Sequence, residues 1–361
     1  MTDLNNKKLL MVSKDLSDIS KGGREQLSRI NQRIIQEIFQ DNLYLFDTSP
    51  KKIDSWIKKF YALRGFIDGL SKNKCYEILR TIDENNIKQV YIDGSNFGKL
   101  VQFLKIKNPN IKIISFFHNV EAKFFFDGFM KKKSLRSFFI FIANYVAERL
   151  AVKYSDTIIS LSERDSSFLL KIYGRASDKI SPLIINRPQK ESPKTNLPKG
   201  NFFIFVGGAF YANIHGIRWF IKNVMPEMDE DLYIIGKGFE KYKLEFEELS
   251  NVHVIGFVEF LSDWYEAAKF VVAPIFEGSG MKTKVAESLM FGKILIGTPE
   301  AFSGYEAVKS IAGIECSSRD EFIHAIKNKS FIGSDSQRRR AYEELYSFQA
   351  GKIRMESILS E

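Results

Sequence analysis

Cysteine and histidine are both scarce in this chain, and that scarcity removes several kinds of chemistry at the outset. Only Cys75 and Cys316 occur, far apart and with no histidine at metal-ligand spacing beside either. A disulfide framework and a zinc site are therefore not expected, and a reducing cytoplasm fits best. Four histidines, His118, His215, His253 and His324, are all that could do imidazole chemistry. No uninterrupted apolar run reaches the ~20 residues a membrane span needs. Met1 to Lys8 is polar and Leu9 to Val12 is too short for the apolar part of a secretory leader, so none is expected. Zinc-finger spacings and RNP-like aromatic patterns are missing, which makes nucleic acid an unexpected partner. Solenoid periods and low-complexity tracts are also lacking.

What is present is length, apolar content and positive charge. With 361 residues, 44% of them apolar, the chain is too long and too hydrophobic for a disordered segment or one small module, and two domains are expected. A formal charge of +9 favours anionic partners, namely phosphorylated small molecules or an acidic bilayer surface once nucleic acid is set aside. Short apolar runs alternate with helix-like segments, the signature of parallel sheets covered on both faces. In the first half these runs are 8–12, 89–92, 112–117 and 157–161; in the second they are 202–206, 232–235, 252–255, 270–273 and 294–297. Between the halves, Pro188, Pro193 and Pro198 stand among charged residues, a composition that marks a linker. The expected division is 1–187, a linker 188–200, a second domain 201–335, and a closing helical segment 336–361 that packs back toward the first domain. Tyr342, Leu345, Tyr346, Ile353, Met355 and Ile358 carry that segment's helical period. The predicted fold class is α/β, two Rossmann-like domains whose parallel sheets face one another across a cleft, with ligand at the carboxyl ends of the strands.

The richest chemistry lies between Ala273 and Gly292, where a strand end runs into a glycine loop and then a helix. Gly278 and Gly280 let the backbone approach a ligand, and a helix start offers unpaired N–H groups and a positive dipole end. Lys282 and Lys284 sit in or near the first turn, where a cation is unfavourable by up to ~1 kcal/mol unless something anionic offsets it. A diphosphate would do so, and the charge that develops on a leaving phosphate is what a transferase must stabilise. Glu287 falls on the same helix face one turn beyond Lys284 and can accept from two ribose hydroxyls. The plainer reading is a surface pair, Lys284 with Glu287, after an ordinary glycine turn.

Six blocks in order extend this picture: Phe202 to Gly208, Tyr211 to Asn213, Leu232 to Gly238, Asn251 to Val258, Ala267 to Pro274, and Glu277 to Gly292. Together they resemble the carboxy-terminal domain of the GT4-like retaining glycosyltransferases, which have the GT-B fold. The resemblance implies that Gly207 and Gly208 form a phosphate-facing turn, and that Gly256, Phe257 and Val258 hold the nucleotide base through their main chain. It further implies that Glu277 with Gly278, Ser279 and Gly280 faces the donor sugar and that Glu287 takes the ribose; Met281, Lys282 and Lys284, next in the chain, are counted with them in the expected donor site. Two departures stand out. Glu277 and Glu287 are ten positions apart, wider than the family's usual spacing. Where the family often has an arginine and a lysine, this chain has Gly208, Ala209, Asn213 and His215, so Lys282 and Lys284 are expected to supply the missing charge.

In the first half, Gly22 and Gly23 lead into a helix bearing Leu27, Ile30, Ile34, Ile35 and Ile38. They resemble the family's glycine loop on the donor side, although a tight turn alone explains a glycine pair nearly as well. His118, Asn119 and Glu121 follow a strand and resemble a His-Asn-x-Glu stretch that implies a histidine touching the donor sugar or the acceptor hydroxyl, with Asn119 and Glu121 on the acceptor side. From Phe124 to Ile142 basic residues adjoin dense aromatics. This suits an anionic membrane surface, or else a helix that is apolar all round because it is buried. Asp229-Glu230-Asp231 spells a metal-binding Asp-x-Asp but lies far in sequence from the glycine loop, and no metal or other cofactor is expected.

The resulting expectation is a retaining glycosyltransferase acting from a nucleotide sugar onto a glycan, lipid-linked or protein-linked acceptor in bacterial surface polysaccharide or glycoconjugate synthesis. Lys284, Glu277 and His118 are its catalytic candidates. The chain is expected in the cytoplasm, with the inner face of the plasma membrane as a second location. Two alternatives remain: a non-catalytic partner subunit of an active transferase, and a nucleotide-sugar epimerase of the same fold.

Overall fold

The structure is a computed structural model that describes residues 4, 7–14, 23–49, 61–188, 197–198, 201–328 and 333–361. Gly22 and most of the expected linker lie outside the described residues. The chain divides into two compact units, Met1–Ile184 with Phe348–Glu361, and Ile185–Ser347.

Unit one is built on a six-stranded sheet: β1 Leu9–Ser13, β2 Leu43–Asp47, β3 Gln89–Asp93, β4 Lys112–Phe117, β5 Thr157–Ser160 and β6 Lys179–Ile180, in the order β2-β1-β3-β4-β5-β6. Every pairing is parallel. Unit two repeats the plan with β7 Phe202–Val206, β8 Asp231–Ile235, β9 Val252–Gly256, β10 Phe270–Ala273, β11 Leu295–Gly297 and β12 Gly313–Glu315, in the order β12-β11-β10-β7-β8-β9. Again all neighbours are parallel. These are two Rossmann-like α/β sheets, as the alternation of apolar runs predicts.

All nine expected strands are present, with ends moved by one residue at most. The three that the sequence reading lacks are β2, β6 and β12, and each is an edge strand. Their residues are only partly covered, so none shows the continuous apolar run of a strand buried on both faces. By contrast β1, β3 and β7 are buried at every position. Each buried Ile, Leu, Val or Phe contributes roughly 1.5–3 kcal/mol of apolar transfer.

Serines start several of the covering helices. Ser71 accepts from the Lys74 N–H before Lys72–Glu84, and Ser162 from the Asp165 N–H before Glu163–Tyr173. Ser134 and Ser334 form reciprocal capping boxes, each satisfying two of the N–H groups a helix start leaves open. The closing segment is two helices, Asp335–Leu345 and Phe348–Ser360, the first in unit two and the second in unit one. Within unit one, Phe348–Ser360 lies against Gly23–Phe39: the Arg33 guanidinium sits 5.1 Å from the Phe348 ring centre, and Lys352 pairs with Glu37 at 3.0 Å.

In each sheet the chain reverses its direction of growth once, between β1 and β3 and between β7 and β10. At such a point the two connections leave to opposite faces, and the carboxyl ends open a crevice. Unit two has the strand order of a dinucleotide-binding sheet.

Candidate active site

At the reversal in unit two, the turn after β7 and the glycine loop after β10 are brought side by side. Gly207 closes the first turn, its N–H donating to the Ile235 carbonyl at 2.9 Å. A Cβ there would lie 2.6 Å from Lys284 Nζ and 2.7 Å from Asn213 Nδ2, so only glycine admits these two polar groups. Asn213, in the first turn of helix Tyr211–Asn223, donates Nδ2 to the Gly208 carbonyl at 2.8 Å and accepts from Lys284 Nζ at 3.3 Å. Asn213 therefore ties the turn to Lys284 across 71 positions of sequence.

Lys284 is buried in the first turn of helix Thr283–Met290, whose N-cap residue Lys282 makes no side-chain capping bond. Its ammonium lies 5.1 Å from the Phe205 ring centre. Among the described residues no carboxylate lies within ion-pairing distance of it. Burial outweighs the more distant attraction of Glu287 and pulls its pKa down from the ordinary lysine value to about 8. The surface-pair reading of Lys284 and Glu287 is thus corrected: Lys284 points inward to Asn213, and Glu287 accepts from the Tyr265 hydroxyl at 2.7 Å.

Lys282 behaves differently. Its ammonium pairs with Glu300 at 2.7 Å and donates to the Gly280 carbonyl at 2.8 Å, and the Tyr305 hydroxyl donates to its own carbonyl at 2.6 Å. A protein carboxylate already offsets this cation, so it holds the loop in shape. Glu277 stands half-exposed with one oxygen 3.7 Å from His215 Nδ1. Gly278 is exposed, Ser279 and Gly280 are partly so, and Met281 is buried.

The turn after β9 has a partner the sequence did not suggest. Glu240 accepts from the Phe257 N–H at 3.1 Å and from the Gly238 N–H at 2.6 Å. Gly256 adopts φ +77°, and a Cβ on it would collide with that carboxylate. The Phe257 N–H is therefore engaged within the protein, while the residue as a whole is 72% exposed and Val258 partly so. Asp231 opens β8, at the amino end of the strand, and lies 3.2 Å from His253; Glu230 is 3.9 Å from Lys269. The Asp-x-Asp thus sits at the opposite end of the sheet from the glycine loop.

In unit one the carboxyl ends of β1, β3 and β4 gather a buried polar cluster. His118 Nε2 lies 2.9 Å from Asp93 Oδ1 and 3.4 Å from the Ser28 hydroxyl, and the Ser13 hydroxyl donates to Asp93 Oδ2 at 2.7 Å. Burial by itself would raise the Asp93 carboxyl, but the His118 ring and the hydrogen bonds outweigh it and hold the pKa near 2. With Nε2 facing a carboxylate, Nε2 carries a proton that it can donate to Asp93. Nδ1 is buried and takes no hydrogen bond among the described residues.

Beside this pair, Asp68 is met by Lys14 at 2.9 Å, Asn96 at 2.7 Å and Arg24 at 3.6 Å, and Arg24 reaches Glu121 at 4.0 Å. Burial raises the Glu121 carboxyl to about 7 against the pull of Arg24. Glu148 accepts from the Glu121 and Ala122 N–H groups at 2.9 and 3.0 Å and from the Tyr173 hydroxyl at 2.9 Å. It thereby caps helix Glu121–Lys132 from the neighbouring helix Leu135–Tyr154. Asn119 is partly covered between His118 and that helix. Gly23 is exposed, and no atom of the described residues lies within 4 Å of where its Cβ would go.

Residues 200–328 match the family model described as "Glycosyl transferases group 1". None of the curated proteins matches the chain. Among solved structures it is similar to the sucrose-phosphate synthase of Thermosynechococcus elongatus, at 13% identity and TM-score 0.71 over 98% of both chains. It is also similar to the lipopolysaccharide outer core galactosyltransferase WaaB, at 15% identity and TM-score 0.66 over 98% of this chain and 99% of that one. HepE of Anabaena, in complex with UDP, gives 13% identity and TM-score 0.65 over 98% and 99%. The chain has the GT-B fold. The family match falls within its second unit, and the solved structures, at 13–15% identity, show the fold.

Proposed function

We propose that this chain is a GT4-like retaining glycosyltransferase that moves a hexosyl group from a nucleoside diphosphate donor onto a hydroxyl of a glycan, lipid-linked or protein-linked acceptor. The bacterial setting is surface polysaccharide or glycoconjugate assembly. One observation carries the reading: Lys284, a buried ammonium with no carboxylate partner among the described residues, sits at the sheet reversal beside the Gly207 turn, in the first turn of helix Thr283–Met290. A buried charge without a partner costs several kcal/mol, and a bound diphosphate would remove much of that cost.

In this reading Lys284 and the helix N–H groups stabilise charge on the leaving phosphate, Asn213 aims the ammonium, and Lys282 with Glu300 holds the Gly278–Gly280 loop in shape. Glu277 and His215 adjoin the sugar. Glu287, steadied by Tyr265, accepts from the ribose, and the exposed Phe257 is available to the base. His118 and Glu121 lie on the acceptor side. The acceptor hydroxyl attacks from the face the diphosphate leaves, so configuration is retained, and no metal or other cofactor is required. HepE, a protein of like fold, is known in complex with UDP and with UDP-glucose, which favours a uridine donor.

Calorimetry with UDP-, GDP- and dTDP-sugars tests the proposal. One donor should bind, and NMR of the product should show the donor's own anomeric configuration. Binding of none would favour the non-catalytic partner subunit. A changed sugar released without acceptor would favour the epimerase.

A further inference from the structure

Helices Glu121–Lys132 and Leu135–Tyr154 form an antiparallel hairpin in unit one, joined at Lys133 and Ser134. Its base is part of the core, since Ala122, Ala143, Ala147 and Ala151 are buried. From Lys123 to Ile142 no residue is buried. The alternative that Phe138 to Ile142 belongs to a helix buried all round is thus overturned.

The composition of that stretch is at odds with water on every side. Phe126 packs on Phe129 and Phe141, and Phe129 on Phe138, with ring centres 5.4–6.5 Å apart, so these rings hold the two helices together. Other apolar side chains are left largely open among the described residues: Leu135 is 79% exposed, and Met130 and Phe139 are each 51% exposed. Contiguous apolar surface of this kind marks an interaction site. The charges around it share one sign. Lys131, Lys132, Lys133 and Arg136 are all exposed at the tip, and no acidic residue occurs between Asp127 and Glu148.

We infer that the tip of this hairpin, residues 130–140, docks on an anionic lipid bilayer: Leu135, Phe139 and Met130 enter the interface while Lys131, Lys132, Lys133 and Arg136 engage lipid phosphates. Charge complementarity selects this occupant. A protein partner's apolar groove would match the phenylalanines but leave four clustered cations to be desolvated. A bilayer interface accepts aromatic rings at headgroup depth and keeps the cations hydrated beside phosphate. No helix among the described residues is long and apolar enough to cross a membrane, so the contact is peripheral.

Co-sedimentation of the full chain with phosphatidylcholine vesicles, with and without phosphatidylglycerol, tests this. Binding is expected only with the anionic lipid and should weaken as salt screens it. Replacing Lys131, Lys132, Lys133 and Arg136 together by Gln should lower partitioning roughly 10²-fold or more. Leu135→Ser with Phe139→Ser should lower it on the apolar side. Both variants alter exposed residues only, and a retained donor-binding isotherm and melting temperature would show that they are folded. Equal binding to neutral vesicles, no binding to either kind, or binding that neither variant weakens would overturn the assignment. So would sedimentation velocity showing that the chain self-associates through Leu135 and Phe139 instead. Because vesicle binding needs no donor, it stands or falls separately from the transferase proposal.

Discussion

The sheet reversals of the two units carry opposite electrostatics. In unit two, the reversal holds a buried cation, Lys284, whose polar partner is the neutral amide of Asn213. In unit one, it holds the carboxylates Asp68, Asp93, Glu121 and Glu148, and each is answered from within: by Lys14 and Arg24, by His118 and Ser13, by Arg24, and by backbone N–H groups. A site left with unmatched positive charge is suited to an anion. One neutralised by its own residues is suited to uncharged hydroxyls, which it can orient and relieve of a proton without binding an anion tightly. The same α/β plan thus carries two sites that differ in charge balance, and the proposed function assigns the donor to the first and the acceptor to the second.

The sharpest way to break the contrast is to remove the unmatched cation. Lys284→Met should lower turnover by roughly 10²–10³-fold, the scale of losing one preorganised group at a developing charge, yet leave the melting temperature unchanged or higher, because a buried charge disappears. Steady-state kinetics and thermal melts check both halves, and a fall in both together would make Lys284 a structural residue. On the other side, Asp93→Asn keeps the shape but no longer holds the His118 proton on Nε2. Activity should fall roughly 10–10²-fold with a changed pH–rate profile, whereas donor affinity measured by calorimetry should hardly move. A matching loss of donor affinity would erase the distinction between the two regions.

The smallest effect comes from pH. With its pKa lowered to about 8, the Lys284 amine of the free protein loses its proton as pH rises through that value, and an anion must restore it on binding. Donor affinity should be flat below about pH 8 and weaken up to about tenfold per pH unit above it. The Lys284→Met variant should show no such slope. Stability of the free protein moves in the other direction: between about 8 and the ordinary lysine value the unfolded chain binds more protons, so stability rises with pH across that window.

How much of this could be read in advance depended on the kind of signal. The central strands announce themselves because burial on two faces demands unbroken apolar runs, and the glycine loop before Thr283–Met290 is a local pattern that survives in sequence order. The edge strands β2, β6 and β12 have no such demand and went unread. The pairings of the site went unread for another reason. Asp93 is an ordinary residue at a strand end until it is set beside His118, 25 positions on, and Glu240 is a loop carboxylate until the Phe257 N–H reaches it. Arg24 was passed over in favour of the glycines before it, because nothing local links it to Asp68 or Glu121. The two lysines looked equivalent two positions apart, yet one is paired with Glu300 and the other is not.

Amino-acid order alone determined the α/β class, the doubled sheet and the turn where an anion cradle would lie, since periodicity, glycine placement and helix starts are local consequences of backbone sterics and apolar burial. Which charges are matched, which are left without a partner, and which phenylalanines face water were decided only by tertiary structure. Those properties depend on distances between residues tens of positions apart, and the sheet order sets them.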